Sequence, residues 1–142
     1  EVISQISQNK NKLKLGNLSP TRDFNFVEDT CNAFKAVADS DLSIGKVINS
    51  ASNFEISIKE TAKMIAEIMN EEIDIISDEI RLRPKKSEVN RLYGDNNLLR
   101  NLTDWEPNFS GISGLKKGLK LTVDWFSKKE NLDFYKSNLY SI

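Results

Sequence analysis

Two stretches of this chain carry residue types that could hold an anion. The first is Thr21-Arg22-Asp23-Phe24, an arginine at the head of an extended run. The second is the span from Asp78 to Asp95, which holds Arg81, Arg83, Lys85, Lys86 and Arg91. The whole chain has a net charge of -1, so the second stretch is a local cationic patch. A guanidinium is a rigid fork of N–H donors that matches phosphate oxygens, and several converging on one spot neutralise a diphosphate. Pro84 restricts Arg83 to extended backbone, which helps its side chain keep one direction. The competing reading is a solvated loop whose cations pair with Glu79, Glu88 and Asp95. Composition leaves both open.

Other chemistries fail on the residues available. The chain has one cysteine, Cys31, and no histidine. That excludes an N/S zinc site of the usual kind and any histidine-based triad. Cys31 cannot form an internal disulfide and reads as a buried thiol. No glycine-rich phosphate turn or Walker-type loop is present. There is no Tyr-x-x-x-Lys pair; Tyr135 and Lys136 are adjacent, and adjacent residues do not share a helical face. Glu28 and Asp29 read as helix-start charge. Trp105 and Trp125 read as core residues. The net charge gives no global field to gather nucleic acid. No apolar run approaches the roughly 20 residues of a membrane span, and residues 1–12 carry no signal-peptide core.

The elements that would position these residues are short. At 142 residues the chain is the size of one domain, and 39% apolar residues support a modest core. It opens at Glu1 without an initiator Met, and residues 1–9 already read as an amphipathic helix, as in a piece of a longer protein. Asn9-Lys10-Asn11 is a turn. Leu13-Lys14-Leu15 alternates as a strand does. Asp23 to Val27 alternates again and reads as a second strand. Asp29 or Thr30 could cap a helix to about Asp39, with Phe34, Val37 and Ala38 inward. Lys46-Val47-Ile48-Asn49 reads as a buried strand. Ser57 and Glu60 form a capping box, followed by Ile58, Ala62, Ile65, Ala66 and Met69 at helical spacing. Ile73 to Ile76 reads as a strand and residues 77–94 as a long loop. Asn96 to Leu102 is a short helix. Ile112 to Phe126 is a longer one, with Leu115, Leu119, Val123 and Phe126 on one face. Strands alternating with helices make the class mixed α/β.

Read in order, these segments resemble a known family. Arg22-Asp23-Phe24-Asn25-Phe26-Val27-Glu28-Asp29 resembles the RDF-x-(Y/F)-V-x-D segment of extended short-chain dehydrogenases/reductases, the NAD-dependent epimerase/dehydratase family. Gly45 to Asn49 resembles its G-x-x-x-N strand. Arg83-Pro84, Ser87 to Leu92 and Gly94-Asp95 resemble its RP…GD segment. Leu102-Thr103-Asp104-Trp105-Glu106-Pro107 is similar to L-G-W-x-P, with Asp104 where glycine is usual. Gly114-Leu115 to Trp125-Phe126 is similar to its GL…T-x-x-W-(F/Y) helix. Within the superfamily the wording is similar to bacterial 4,6-dehydratases of nucleotide-linked N-acetylglucosamine in the legionaminic acid pathway, with GDP-mannose 4,6-dehydratase a near relative.

The resemblance implies that residues 1–126 are the C-terminal substrate-binding domain and residues 127–142 a tail. The Rossmann domain that binds NAD and carries the catalytic Ser/Thr, Tyr and Lys would lie outside this chain, so no catalytic residue is expected here. Carried over by position, Arg22 and Arg83 would contact the diphosphate of a GDP- or UDP-linked hexose. Asn49 would hydrogen-bond nearby, and Leu13 to Leu15 would lie by the base, mostly through backbone. Arg91 and Asp95 are further carry-overs, and Arg81 a more distant one. Asp23 and Asp29 read as structural. In the whole enzyme the sugar would lose hydride at C4 to NAD+, then water across C5–C6, and take hydride back at C6. The full-length protein would be a cytoplasmic homodimer. A 4-epimerase, or a non-enzymatic anion-binding module, remain the alternatives.

Overall fold

The computed structural model describes residues 1–8, 12–82, 84 and 87–132. The turn expected at 9–11 and residues 133–142 of the tail expected at 127–142 lie outside these. The class is the mixed α/β one expected, with short strands between helices. Its contacts divide the chain into two compact units, each assembled from separate stretches of sequence.

The first unit comprises residues 1–20, 57–90 and 119 onward. Strand β1 (Lys12–Leu15) pairs in parallel with β4 (Asp74–Ser77), in the register Leu13 to Ile75 and Leu15 to Ser77. Leu13 and Leu15 point to one face and are buried, while Lys12 and Lys14 point to the other and are exposed. Burying a leucine of this kind contributes about 1.5–3 kcal/mol. Helix α1 (Val2–Ile6) adds Ile3 and Ile6 to the core, and α3 (Ile58–Met69) adds Ala62, Ile65 and Ala66. The predicted capping box is present. Ser57 Oγ accepts from Glu60 N at 3.1 Å, and the Glu60 carboxylate accepts from Ser57 N at 3.2 Å. The free edge of β1 is closed by a buried side chain: Gln5 Oε1 accepts from Lys14 N at 2.9 Å, and Gln5 Nε2 donates to Lys14 O at 3.1 Å. Val123 of helix α5 (Gly111–Phe126) completes this core, with Leu119 and Phe126 packed against it. Trp125, expected inside, is half exposed at a position off that face.

The second unit comprises residues 21–56 and 91–118. Its sheet has the strand order β3-β2-β5, from β3 (Glu55–Ser57), β2 (Thr21–Asp23) and β5 (Arg91–Leu92). The extended run expected from Asp23 to Val27 stops at Asp23, because Val27 opens helix α2 (Val27–Ala38). Phe26, not Asp29 or Thr30, is the residue before the first turn. Asp29 instead turns inward. It is 1% exposed, and its carboxylate accepts from Asn108 N and Phe109 N, both at 2.9 Å. This anchorage sets the rotation of α2, so Ala33, Ala36 and Val37 pack against Leu99 and Trp105. Phe34 and Ala38 face out, Phe34 at 70% exposed, against expectation. Cys31 is exposed for the same reason, not buried.

The strand expected at Lys46–Asn49 does not form. Val47 is 92% exposed, and an extended segment becomes a strand only when a neighbour accepts its ladder bonds. The long loop expected at 77–94 holds a 3-10 turn at Glu79–Arg81 and the strand β5. Helix α4 (Asn97–Leu102) follows, and α6 (Lys129–Leu132) is the last described element.

Candidate functional site

The residues expected to hold an anion begin on β2, the middle strand of the second unit's sheet. Parallel pairing sets Thr21 beside Arg91 and Arg22 beside Leu92. Paired residues of a ladder share a face, and successive residues alternate faces. Thr21 and Arg91 therefore occupy one face, and Arg22 the other.

A carboxylate organises the first face. Glu55 of β3 takes Arg91 side-on. Arg91 Nε lies 2.9 Å from Oε1 and 3.0 Å from Oε2, and Nη2 lies 2.6 Å from Oε1. The hydroxyl of Thr21 donates to Glu55 Oε2 at 2.7 Å. The Arg91 guanidinium also lies over the Tyr93 ring, 5.0 Å from its centroid. The hydrogen bonds from Arg91, then that from Thr21, hold the Glu55 carboxyl below the usual carboxylate range. Arg91 is correspondingly raised. Arg91 is thus held by a carboxylate of the chain itself, on the face of the sheet opposite Arg22.

Arg22 is half-buried, and its Nη1 donates to the Thr21 carbonyl at 2.7 Å. The next residue fixes the backbone. Asp23 Oδ1 accepts from Ser52 N at 2.9 Å and Ser52 Oγ at 2.6 Å, and Oδ2 accepts from Gly94 N at 3.3 Å. Gly94 is required here, since a Cβ on it would lie 2.3 Å from the Ala51 Cβ. Ser110 Oγ further donates to Ser52 O. Asp23 and Asp29 are structural, as the sequence suggested.

Asn49 is exposed in the second unit. Asp95 Oδ1 accepts from Asn97 N at 2.8 Å, which ties it to the start of α4. Leu13 and Leu15 are core residues of the first unit, so their side chains are not available to a base. Arg81 is paired with Asp78, Nε to Oδ2 at 3.2 Å, and with Glu1. Its carbonyl abuts Gly16, where a Cβ would come within 2.3 Å. Arg83, Lys85 and Lys86 lie outside the described residues. Sequence reasoning missed Glu55 as a partner because it stands 36 positions from Arg91.

The second unit also has an open cleft of about 790 Å³ between α2 and the 100–106 stretch, lined by Lys35, Asp39, Leu42, Arg100 and Asp104. Among the described residues, no expected site residue lines it. Among the described residues no cluster of three or more His, Cys, Asp or Glu could hold a metal, and no helix is long and apolar enough to cross a membrane. NAD, the cofactor implied by the resemblance, does not fit at Gly114. The Gly111–Gly114 stretch opens a helix, but a Cβ on Gly114 would lie 2.3 Å from the Phe109 backbone. Gly114 is packed against its own chain and leaves no space for a pyrophosphate there, while a Cβ on Gly111 would meet open space.

Comparison with known proteins places these observations. The family model described as GDP-mannose 4,6 dehydratase matches residues 1–117. GDP-6-deoxy-D-mannose reductase of Pseudomonas aeruginosa is 30% identical over 119 residues, covering 83% of this chain and 37% of the relative. Among solved structures, an epimerase from Methanothermobacter thermautotrophicus aligns with a TM-score of 0.76 at 28% identity, over 93% of this chain and 37% of that one. The dTDP-glucose 4,6-dehydratase of Bacillus anthracis, in complex with NAD, aligns with a TM-score of 0.73 at 26% identity, over 91% and 38%. The chain thus spans well under half the length of the proteins it matches.

Proposed function

As this chain belongs to the GDP-mannose 4,6-dehydratase family, we propose that it is the substrate-binding portion of an NAD-dependent nucleotide-sugar 4,6-dehydratase. Its residues 1–126 would form that portion, with 127–142 a tail. Its ligand would be a GDP- or UDP-linked hexose, gripped at the diphosphate by Arg22, Asn49 and Arg83. The observation that carries this reading is the setting of Arg22. It stands on a central strand, between Thr21 and Asp23, both of which are fastened by side-chain hydrogen bonds. A guanidinium on a clamped backbone loses less freedom on binding an anion.

The chain's share of catalysis is then binding energy. Holding the diphosphate, remote from the reacting carbons, orients the sugar and lowers the entropic part of the barrier. NAD would be bound, and hydride exchanged, by residues outside this chain, in a cytoplasmic homodimer. A 4-keto-6-deoxy sugar formed from a nucleotide hexose by the full-length protein is the expected product. Release of a C4 epimer instead would replace the dehydratase reading by an epimerase one. The 30% identity to a GDP-6-deoxy-D-mannose reductase favours one second reading. On it, the same grip serves a reductase, and the full-length protein consumes a 4-keto-6-deoxy sugar rather than making one.

A further inference from the structure

We infer that Glu55 is a positioning residue for the anion grip, acting on Arg22 through the strand that it braces. The inference rests on the proposed function above and adds to it a residue that touches no ligand.

The sheet of the second unit is short-stranded. Strand β5 has two residues and β2 has three. So few ladder bonds leave register weakly specified, and a slip of one residue sends every side chain of a strand to the other face. For β2 such a slip would exchange the places of Thr21 and Arg22. The ladder of side chains Glu55–Thr21–Arg91 opposes it. One residue comes from each of the three strands, in their spatial order β3-β2-β5. Glu55 grips Arg91 with both carboxylate oxygens and takes the Thr21 hydroxyl as well. The middle strand is thereby tied to both neighbours on one face. Arg22 leaves from the next position on the opposite face.

Geometry also separates bracing from ligand binding. Arg91 commits Nε and Nη2 to Glu55 and lays its plane over Tyr93. The Glu55 carboxylate cancels its charge locally. A cation neutralised by a bidentate partner is a poor first choice for a phosphate and a good strut. Glu55 is negatively charged at neutral pH as an ordinary carboxylate is, and the hydrogen bonds from Arg91 and then Thr21 hold its carboxyl lower still.

The test titrates GDP, and separately UDP, into this chain by calorimetry, well below the melting temperature of each variant. Glu55→Gln is expected to weaken nucleotide affinity by about three- to tenfold. The double exchange Glu55→Arg with Arg91→Glu is expected to restore most of it, since the strut is rebuilt with reversed polarity. Thr21→Val, a milder change at the same ladder, is expected to cost less than Glu55→Gln and serves if Glu55→Gln does not fold. Wild-type affinity in both Glu55→Gln and Thr21→Val would overturn the inference alone. Failure of the exchange to restore affinity would also overturn it, because Arg91 would then be acting as a ligand group itself. Absence of any binding by the unaltered chain would overturn the proposed function together with the inference.

Discussion

Arg22 and Arg91 stand on neighbouring strands of one sheet and on opposite faces of it. The resemblance puts Arg22 and Arg83 on the diphosphate and makes Arg91 a further carry-over. The pairing of Thr21 with Arg91 separates Arg91 from Arg22, and Glu55 accounts for Arg91. Of the two, Arg22 is the one proposed for the grip.

The Glu55–Arg91 pair makes a prediction about pH. The folded carboxyl is held below its ordinary value, which is about 4.3 in an unfolded chain. A depressed carboxyl contributes stability that is present above the unfolded value and lost as pH falls through the folded one. The difference in melting temperature between the wild type and Glu55→Gln should therefore be constant above about pH 5. It should shrink on further acidification. The pair is exposed, so the difference is small. A melting series across pH reads it directly, and a difference that grew in acid would contradict the assignment.

Asp29 is expected to matter more for stability than any other carboxylate described. It is buried, and it satisfies two backbone N–H groups of the 108–109 turn. Asp29→Ala strands both donors and should cost about 3 kcal/mol or more, from the range for hydrogen bonds to charged groups. Asp29→Asn keeps one acceptor and should cost less. Urea unfolding monitored by tryptophan fluorescence measures both, and a cost below about 0.5 kcal/mol for the alanine variant, typical of a surface change, would be inconsistent with this role.

Gly94→Ala is expected to destabilise by about 1–3 kcal/mol, the usual range for overpacking. The new Cβ meets the Ala51 Cβ, which has no rotamer by which to retreat. Coupling to the site is expected as well, since the Gly94 N–H is one of the groups fastening Asp23. Ala51→Gly should partly rescue the double variant; additivity of the two costs would argue that the contact is not the cause.

Much of the fold is legible in the sequence where local pattern and packing agree. Leu13 and Leu15 alternate with lysines and do line one face. Ser57 and Glu60 do close a capping box. Leu115, Leu119, Val123 and Phe126 do share a buried or half-buried side of α5. The reading fails where a non-local contact decides. Phe34 and Ala38 have helical spacing and invite an inward assignment, but the bonds from Asn108 and Phe109 to Asp29 rotate α2 the other way. Lys46 to Asn49 has strand composition, and composition does not supply a neighbouring strand. At the site, Arg22 and its Asp23 anchor lie in a motif and are readable. Glu55 is not, because its meaning comes from register between strands far apart in sequence.

The central claim is that Arg22 is a diphosphate ligand on a braced strand. Calorimetric titration of GDP and UDP into the wild-type chain and its Arg22→Ala variant tests it most directly. The account predicts that the wild type binds at least one of the two. It predicts that Arg22→Ala weakens that binding by about 10- to 100-fold, the loss of one or more charge-assisted hydrogen bonds, with an unchanged melting temperature in the absence of nucleotide. Equal affinities in the two proteins would contradict it.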